Sequence, residues 1–221
     1  MAAKFDVTPY FKPDDPFVAE YADKMQEVID YYDIKYRIAA LVAPKSILEI
    51  GVRAGYSAAA FLAACDGQAR FLGLDCDGQK RVFGGFPGYS DWALSALRGN
   101  FPESEIEILQ CNTQTEPLNL SGTWDFVHID GDHSEEGCYK DLCSVEPHAR
   151  WILVDDYSFC IPVFLAVNRW LEGKRYEHLS LRSMRGEKLI KLSVPRLTMH
   201  DQNNPENNIE LYHAPDISNQ R

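Results

Sequence analysis

Leu48-Glu49-Ile50-Gly51-Val52-Arg53-Ala54-Gly55-Tyr56-Ser57 is the stretch that decides the fold. An apolar run, Ser46–Ile50, ends on a glycine turn, and an alanine-rich segment from Tyr56 to about Cys65 follows. That order reads as strand, tight turn and helix. Glycines in such a turn let the backbone approach a ligand closely, and the first turn of the helix offers free N–H donors. A dinucleotide-binding turn would carry a second glycine two residues after Gly51, where this chain has Arg53.

Outward from this turn the same rhythm recurs. Strands are predicted at Arg70–Asp75, Glu105–Leu109, Phe126–Ile129 and Trp151–Val154, and helices at Asp91–Arg98, Glu135–Val145 and Phe159–Leu171. Strands alternating with helices form βαβ units around a mostly parallel sheet. Tyr176–Arg182 and Glu187–Ser193, joined by Ser183-Met184-Arg185-Gly186, read as a closing antiparallel hairpin. The expected fold is a Rossmann-like, doubly wound α/β domain with a seven-stranded sheet.

One domain accounts for all 221 residues: an N-terminal helical segment (1–45), the core (46–193) and a polar tail (194–221). Phe17 to Ala43 reads as one amphipathic helix that Pro44 stops. Its aromatic stripe suits core packing or a homo-oligomer face. Arg81–Ser90, rich in glycine and aromatics, reads as a surface loop or lid.

Composition narrows the partners. With 22 basic and 33 acidic residues the net charge is −11, which opposes binding to nucleic acid or to an anionic membrane. Arg182, Arg185, Lys188 and Lys191 read as a solvated hairpin edge. Six cysteines without a C-x-x-C pair point to reduced thiols in a cytoplasmic protein. No apolar run is long enough for a membrane span, and the first residues lack a secretory signal.

Two further motifs carry chemistry. Gly73-Leu74-Asp75 ends the second strand, ~20 residues past the glycine turn, where an acid takes the ribose hydroxyls of a nucleoside cofactor. A helix cap is the structural alternative for Asp75. Asp130, in Ile129-Asp130-Gly131-Asp132-His133, ends the fourth strand, and Asp155-Asp156 end the fifth. Carboxyl ends of adjacent parallel strands face one crevice, so these acids should converge. Clustered acids repel unless a cation joins them, and hard oxygen donors favour Mg²⁺, Mn²⁺ or Ca²⁺. Nothing basic in the flanking sequence is placed to compensate them, and Arg53 is the one evident rival to a metal. His133 and Asp132 are candidate bases for a substrate hydroxyl. A neutral His133 suits that task better, while Asp132 would hold the loop or approach the metal. His128, inside the strand, reads as a packing residue.

The combination of Leu48–Ser57, Gly73–Asp75, Phe126–Leu142 and Ile152–Tyr157 resembles the metal-dependent small-molecule O-methyltransferases related to macrocin O-methyltransferase and the cephalosporin-biosynthesis methyltransferase component. The likeness spans about Ser46 to Leu171. It implies S-adenosylmethionine as cofactor, with Glu49, Gly51, Gly55 and Ser57 at the methionine end, Asp75 on the ribose and Asn112 near the adenine. It implies a divalent metal, most simply Mg²⁺, on Asp130, Asp155 and Asp156, with Asp130 bordering the cofactor too. The acceptor would be a small-molecule hydroxyl. A nicotinamide-dependent oxidoreductase and a non-catalytic binding module are the alternatives.

Overall fold

The computed structural model describes residues 4–76 and 88–192. The lid segment of the sequence reading falls largely in 77–87, and the polar tail in 193–221, so both lie outside the described residues.

The N-terminal segment forms two helices, α1 (Pro16–Glu20) and α2 (Met25–Val42), where the sequence pattern predicts one. Asp15 caps α1 by accepting the Phe17 N–H, and Pro16 fits its first turn. The chain then leaves helical geometry at Tyr21, with φ −105° and ψ 13°. One local and one long-range contact hold this break. The Tyr21 ring lies 4.8 Å from Phe17, and its hydroxyl accepts from Arg185 at 2.9 Å. Before Pro44 helical geometry is disfavoured, and Ala43 turns left-handed at φ 49° to end α2.

The core is an alternation: β1 (Ser46–Ile50), α3 (Tyr56–Ala64), β2 (Arg70–Asp75), α4 (Tyr89–Asn100), β3 (Ile106–Gln110), β4 (Trp124–Ile129), α5 (Glu135–Val145), β5 (Ala149–Val154), α6 (Ile161–Leu171), β6 (Glu177–Ser180) and β7 (Lys188–Lys191). The seven strands lie in the order β3-β2-β1-β4-β5-β7-β6. β1 to β5 pair in parallel, and β7 pairs antiparallel with both β5 and β6. The predicted seven-stranded sheet with its terminal hairpin is therefore present.

The period of two along each strand sorts its residues between two apolar layers. Leu48, Ile50, Val127, Ile129, Ile152 and Val154 pack with Leu142 of α5 and Trp170 of α6. Ile47, Phe126 and Leu153 pack on the opposite layer with Ile38 of α2, Phe61 of α3 and Leu97 of α4. Glu49, His128 and Asp155 follow the same alternation. Each therefore sits on the α2/α3 side, and all three are buried. This places polar groups where a core would ordinarily be apolar, at the carboxyl ends of the central strands. Among the described residues no helix is long and apolar enough to cross a membrane.

Candidate functional site

β1 lies between β2 and β4, so the chain order reverses there and the strand ends open a crevice. Gly51 forms the floor of the turn that follows. Its N–H donates to the Leu74 carbonyl, and its φ is +85°. A Cβ at this position would stand 2.1 Å from the Asp130 carbonyl oxygen, so only glycine fits. Gly55, with φ +79°, starts α3 in the same left-handed region. Between them the Arg53 N–H donates to Asp75 Oδ2 at 2.7 Å. Asp75 thus joins the end of β2 to the glycine turn. Asn112 follows β3 close by, since Cys111 N–H donates to the Asp75 carbonyl. Its side chain accepts the Gln114 N–H at 3.0 Å.

Glu49 is fully buried. Its Oε1 accepts from Ser57 Oγ at 2.5 Å and meets His128 Nδ1 at 2.8 Å, while Oε2 has no hydrogen-bond partner in the protein. Burial pushes the Glu49 carboxyl up to about 8, against the Ser57 hydrogen bond, and the Asp130 charge adds to the push. His128 Nε2 lies 3.1 Å from Lys35 Nζ. An ammonium can only donate, so Nε2 accepts and Nδ1 carries the proton toward Glu49. Burial, together with Lys35, holds His128 well below the usual histidine range, in keeping with a neutral ring. His128 is therefore a hydrogen-bonded relay between Lys35 and Glu49, beyond the packing role expected of it.

At the other end of the crevice stand Asp130, Asp155 and Asp156. Two groups of potential ligand atoms each fall within 4.8 Å of one another: His128, Asp130 and Asp155, and Asp130, His133 and Asp156. Asp130 belongs to both. His133 Nε2 lies 3.1 Å from Asp130 Oδ1, and His133 Nδ1 lies 3.4 Å from Asp156 Oδ2. The bond to Asp130 raises His133 to about 9 despite partial burial. In this arrangement the ring is an imidazolium at neutral pH, where the sequence reading expected a neutral base. Asp132 accepts the Ser134 N–H at 2.8 Å, and Ser134 in turn caps α5.

The charge balance corrects the sequence reading. Arg53 does not approach the cluster; its Nη2 donates to Asp15 at 2.7 Å. Two other cations reach the acids. Lys35 of α2 places Nζ 3.2 Å from Asp155 Oδ2, and Arg185 of the hairpin bonds Asp156 at 3.2 Å. Tyr31 also donates to Asp155 Oδ2. Burial opposes ionisation of Asp155, but Lys35 together with His128, the Tyr31 hydroxyl and Asp130 holds the carboxyl below the ordinary range. Burial and the Asp155 charge raise Asp130. Arg185 therefore turns into the site, away from the solvated edge expected for it. Charge repulsion alone no longer demands a metal. The donor chemistry still fits one: Asp130 meets Asp155 in one group of ligand atoms and Asp156 in the other, and the buried Asp155 Oδ1 has no hydrogen-bond partner in the protein.

Lys35 is the site residue that sequence reasoning missed. Its signal was a lysine at helical spacing within the stripe Val28, Tyr31, Tyr32, Ile38 and Ala39, all of which are buried. All six cysteines are free thiols.

Residues 48–157 match the family described as a methyltransferase domain. No curated protein matches the chain. Solved structures with the same fold include the O-methyltransferase from Bacillus cereus in complex with S-adenosylhomocysteine (SAH), at 16% identity and TM-score 0.54, covering 85% of this chain and 95% of that one. The O-methyltransferase TomG from Streptomyces achromogenes, in complex with S-adenosylmethionine, gives 15% identity and TM-score 0.56, with coverage of 75% and 80%. The SAH-bound methyltransferase PaMTH1 from Podospora anserina gives 17% and 0.56, with coverage of 73% and 77%. The match sets aside the nicotinamide reading that Arg53 already disfavoured. From its methyltransferase domain and its sheet order, the chain belongs to the class I S-adenosylmethionine-dependent methyltransferases.

Proposed function

We propose that this chain methylates a hydroxyl of a small-molecule acceptor, with a divalent cation, most simply Mg²⁺, held by Asp130, Asp155 and Asp156. The observation that carries this reading is the meeting of the two ends of the crevice. The glycine turn contacts the Asp130 backbone directly, so the methyl donor and the strand-end acids would share one cavity. The O-methyltransferase names of the structural neighbours point the same way. The net charge of −11 favours a small acceptor over a nucleic acid.

The reaction is an in-line displacement. The acceptor oxygen attacks the methyl carbon, the carbon–sulfur bond breaks, and the sulfonium becomes the neutral thioether of SAH. Glu49, Ser57 and the turn at Gly51–Gly55 would hold the methionine end, and Asp75 the ribose, with Asn112 near the adenine. Their task is alignment, because most of the barrier reduction in such a transfer comes from positioning. When bound, a divalent cation would lower the pKa of the acceptor hydroxyl. The hydroxyl proton would pass to one of two residues on the loop beside Asp130: Asp132, or His133 once cation binding at Asp130 and Asp156 has displaced its ring proton.

The test is turnover with and without chelator. Excess chelator should abolish turnover while leaving SAH binding intact, and added Mg²⁺ should restore it. The Asp155→Asn, Asp156→Asn double variant should stay inactive at ordinary Mg²⁺ concentrations. Full activity in excess chelator would overturn the metal and leave Lys35, Arg185 and His133 as the cations of the site. Loss of the base should lower the rate by about 10²–10⁴-fold with little effect on SAH binding, which His133→Ala and Asp132→Ala would compare.

A further inference from the structure

Lys35 is fully buried, an unusual place for a lysine, and it has four close neighbours. Nζ lies 3.2 Å from Asp155 Oδ2, 3.1 Å from His128 Nε2, 3.9 Å from Glu187 Oε1 and 4.5 Å from the centre of the Tyr31 ring. Tyr31, one helical turn earlier on α2, donates to the same Asp155 oxygen. Two residues of one helix therefore secure Oδ2, while Oδ1 has no hydrogen-bond partner in the protein. The carboxylate is held by one edge and open on the other.

We propose that Lys35 is a built-in cation of the strand-end site, a positioning residue that takes one oxygen of Asp155, leaves the other free and weakens the binding of a divalent ion there. The proposal rests on the reading of the strand-end acids as a cation site. Its physical basis is Coulomb's law. A fixed positive charge a few ångströms from a bound dication repels it, and even with the screening of bulk water, at a dielectric of ~80, the effect on affinity is about tenfold or more. Weak binding suits an ion that arrives with the acceptor and leaves with the product. The same ammonium donates to His128 and so connects to Glu49, which ties α2 to both ends of the crevice.

The probe is Mn²⁺ alone, titrated into the full chain and followed by electron paramagnetic resonance. Lys35→Gln removes the charge but keeps a hydrogen-bond donor. It should bind Mn²⁺ about tenfold more tightly than wild type while turning over more slowly, because Asp155 loses its fixed edge. Lys35→Arg keeps the charge and should stay near the wild-type affinity. A purely structural lysine predicts the opposite, weaker Mn²⁺ binding in Lys35→Gln, and that result or an unchanged affinity overturns the proposal. If Lys35→Gln does not fold, wild type labelled with ¹³C at lysine Cε decides: Mn²⁺ should broaden the Lys35 signal, and an unaffected signal overturns it. Absence of Mn²⁺ binding to wild type would defeat the metal reading itself. In that case Mn²⁺ binding gained by Lys35→Gln still supports a built-in cation, and no gain rejects it.

Discussion

Asp75 and Glu49 hold local structure, and the proposed function gives each a second task at the cofactor. Asp75 holds the glycine turn through the Arg53 N–H, and its position at the end of β2 is where a ribose would lie. Asp75→Ala removes charge-assisted hydrogen bonds contributing about 1.5–3 kcal/mol, so SAH affinity should fall roughly tenfold or more in titration calorimetry. An unchanged affinity would reject the ribose role. Glu49 makes a prediction about pH. Burial raises its carboxyl to about 8, so below that pH the group holds a proton. A cofactor ammonium binds the ionised form better. SAH affinity should therefore increase as pH climbs from about 6.5 to about 8.5, and Glu49→Gln should flatten the profile. A wild-type profile as flat as the variant's would remove Glu49 from the cofactor contacts.

At the scale of elements, the β1–α3 turn holds the glycine that, among those described, leaves least room for a Cβ. Gly51 combines a left-handed φ of +85° with the approach of the Asp130 carbonyl from β4. Gly51→Ala would meet both strain and a backbone clash, which no side-chain rotation relieves. It should destabilise the fold by about 2 kcal/mol or more and abolish SAH binding together. Chemical denaturation and calorimetry on the same sample would check this, and a variant with wild-type stability would show that β4 can shift away. The N-terminal helices are the contrasting case. α1 and α2 are separate because Tyr21 answers to Arg185, 164 residues away in the chain. No helical periodicity encodes that break.

For the whole molecule, the cofactor should act as a clamp. The crevice is built from the ends of β1, β2 and β4, which belong to one continuous sheet with core layers on both faces. A ligand that binds only this folded arrangement stabilises it by about 2.7 kcal/mol at a hundredfold excess over its dissociation constant. For a chain of this size that corresponds to a rise in melting temperature of roughly 5–10 °C with SAH. The rise should be lost in Asp75→Ala. NAD⁺ should produce none, and a shift with NAD⁺ equal to that with SAH would revive the nicotinamide reading.

The sequence by itself determined the alternation of strands and helices, the glycine turn, the order of the acids and the hairpin. These are local: period-two and period-3.6 patterns, turn residues and strand ends are written within a few residues of one another. The strand-end positions of Asp75, Asp130, Asp155 and Asp156 were readable for the same reason. Only the tertiary structure decided the electrostatics. Lys35 reaches Asp155 across 120 positions of chain, and Arg185 reaches Asp156 from the hairpin, while Arg53 turns to Asp15. Coulomb interactions depend on distance in space and on burial, neither of which a linear pattern carries. His128 looked like a packing residue because strand alternation says only which layer a side chain enters. That layer held Lys35 and Glu49 at that level, and packing α2 onto the sheet is what set it.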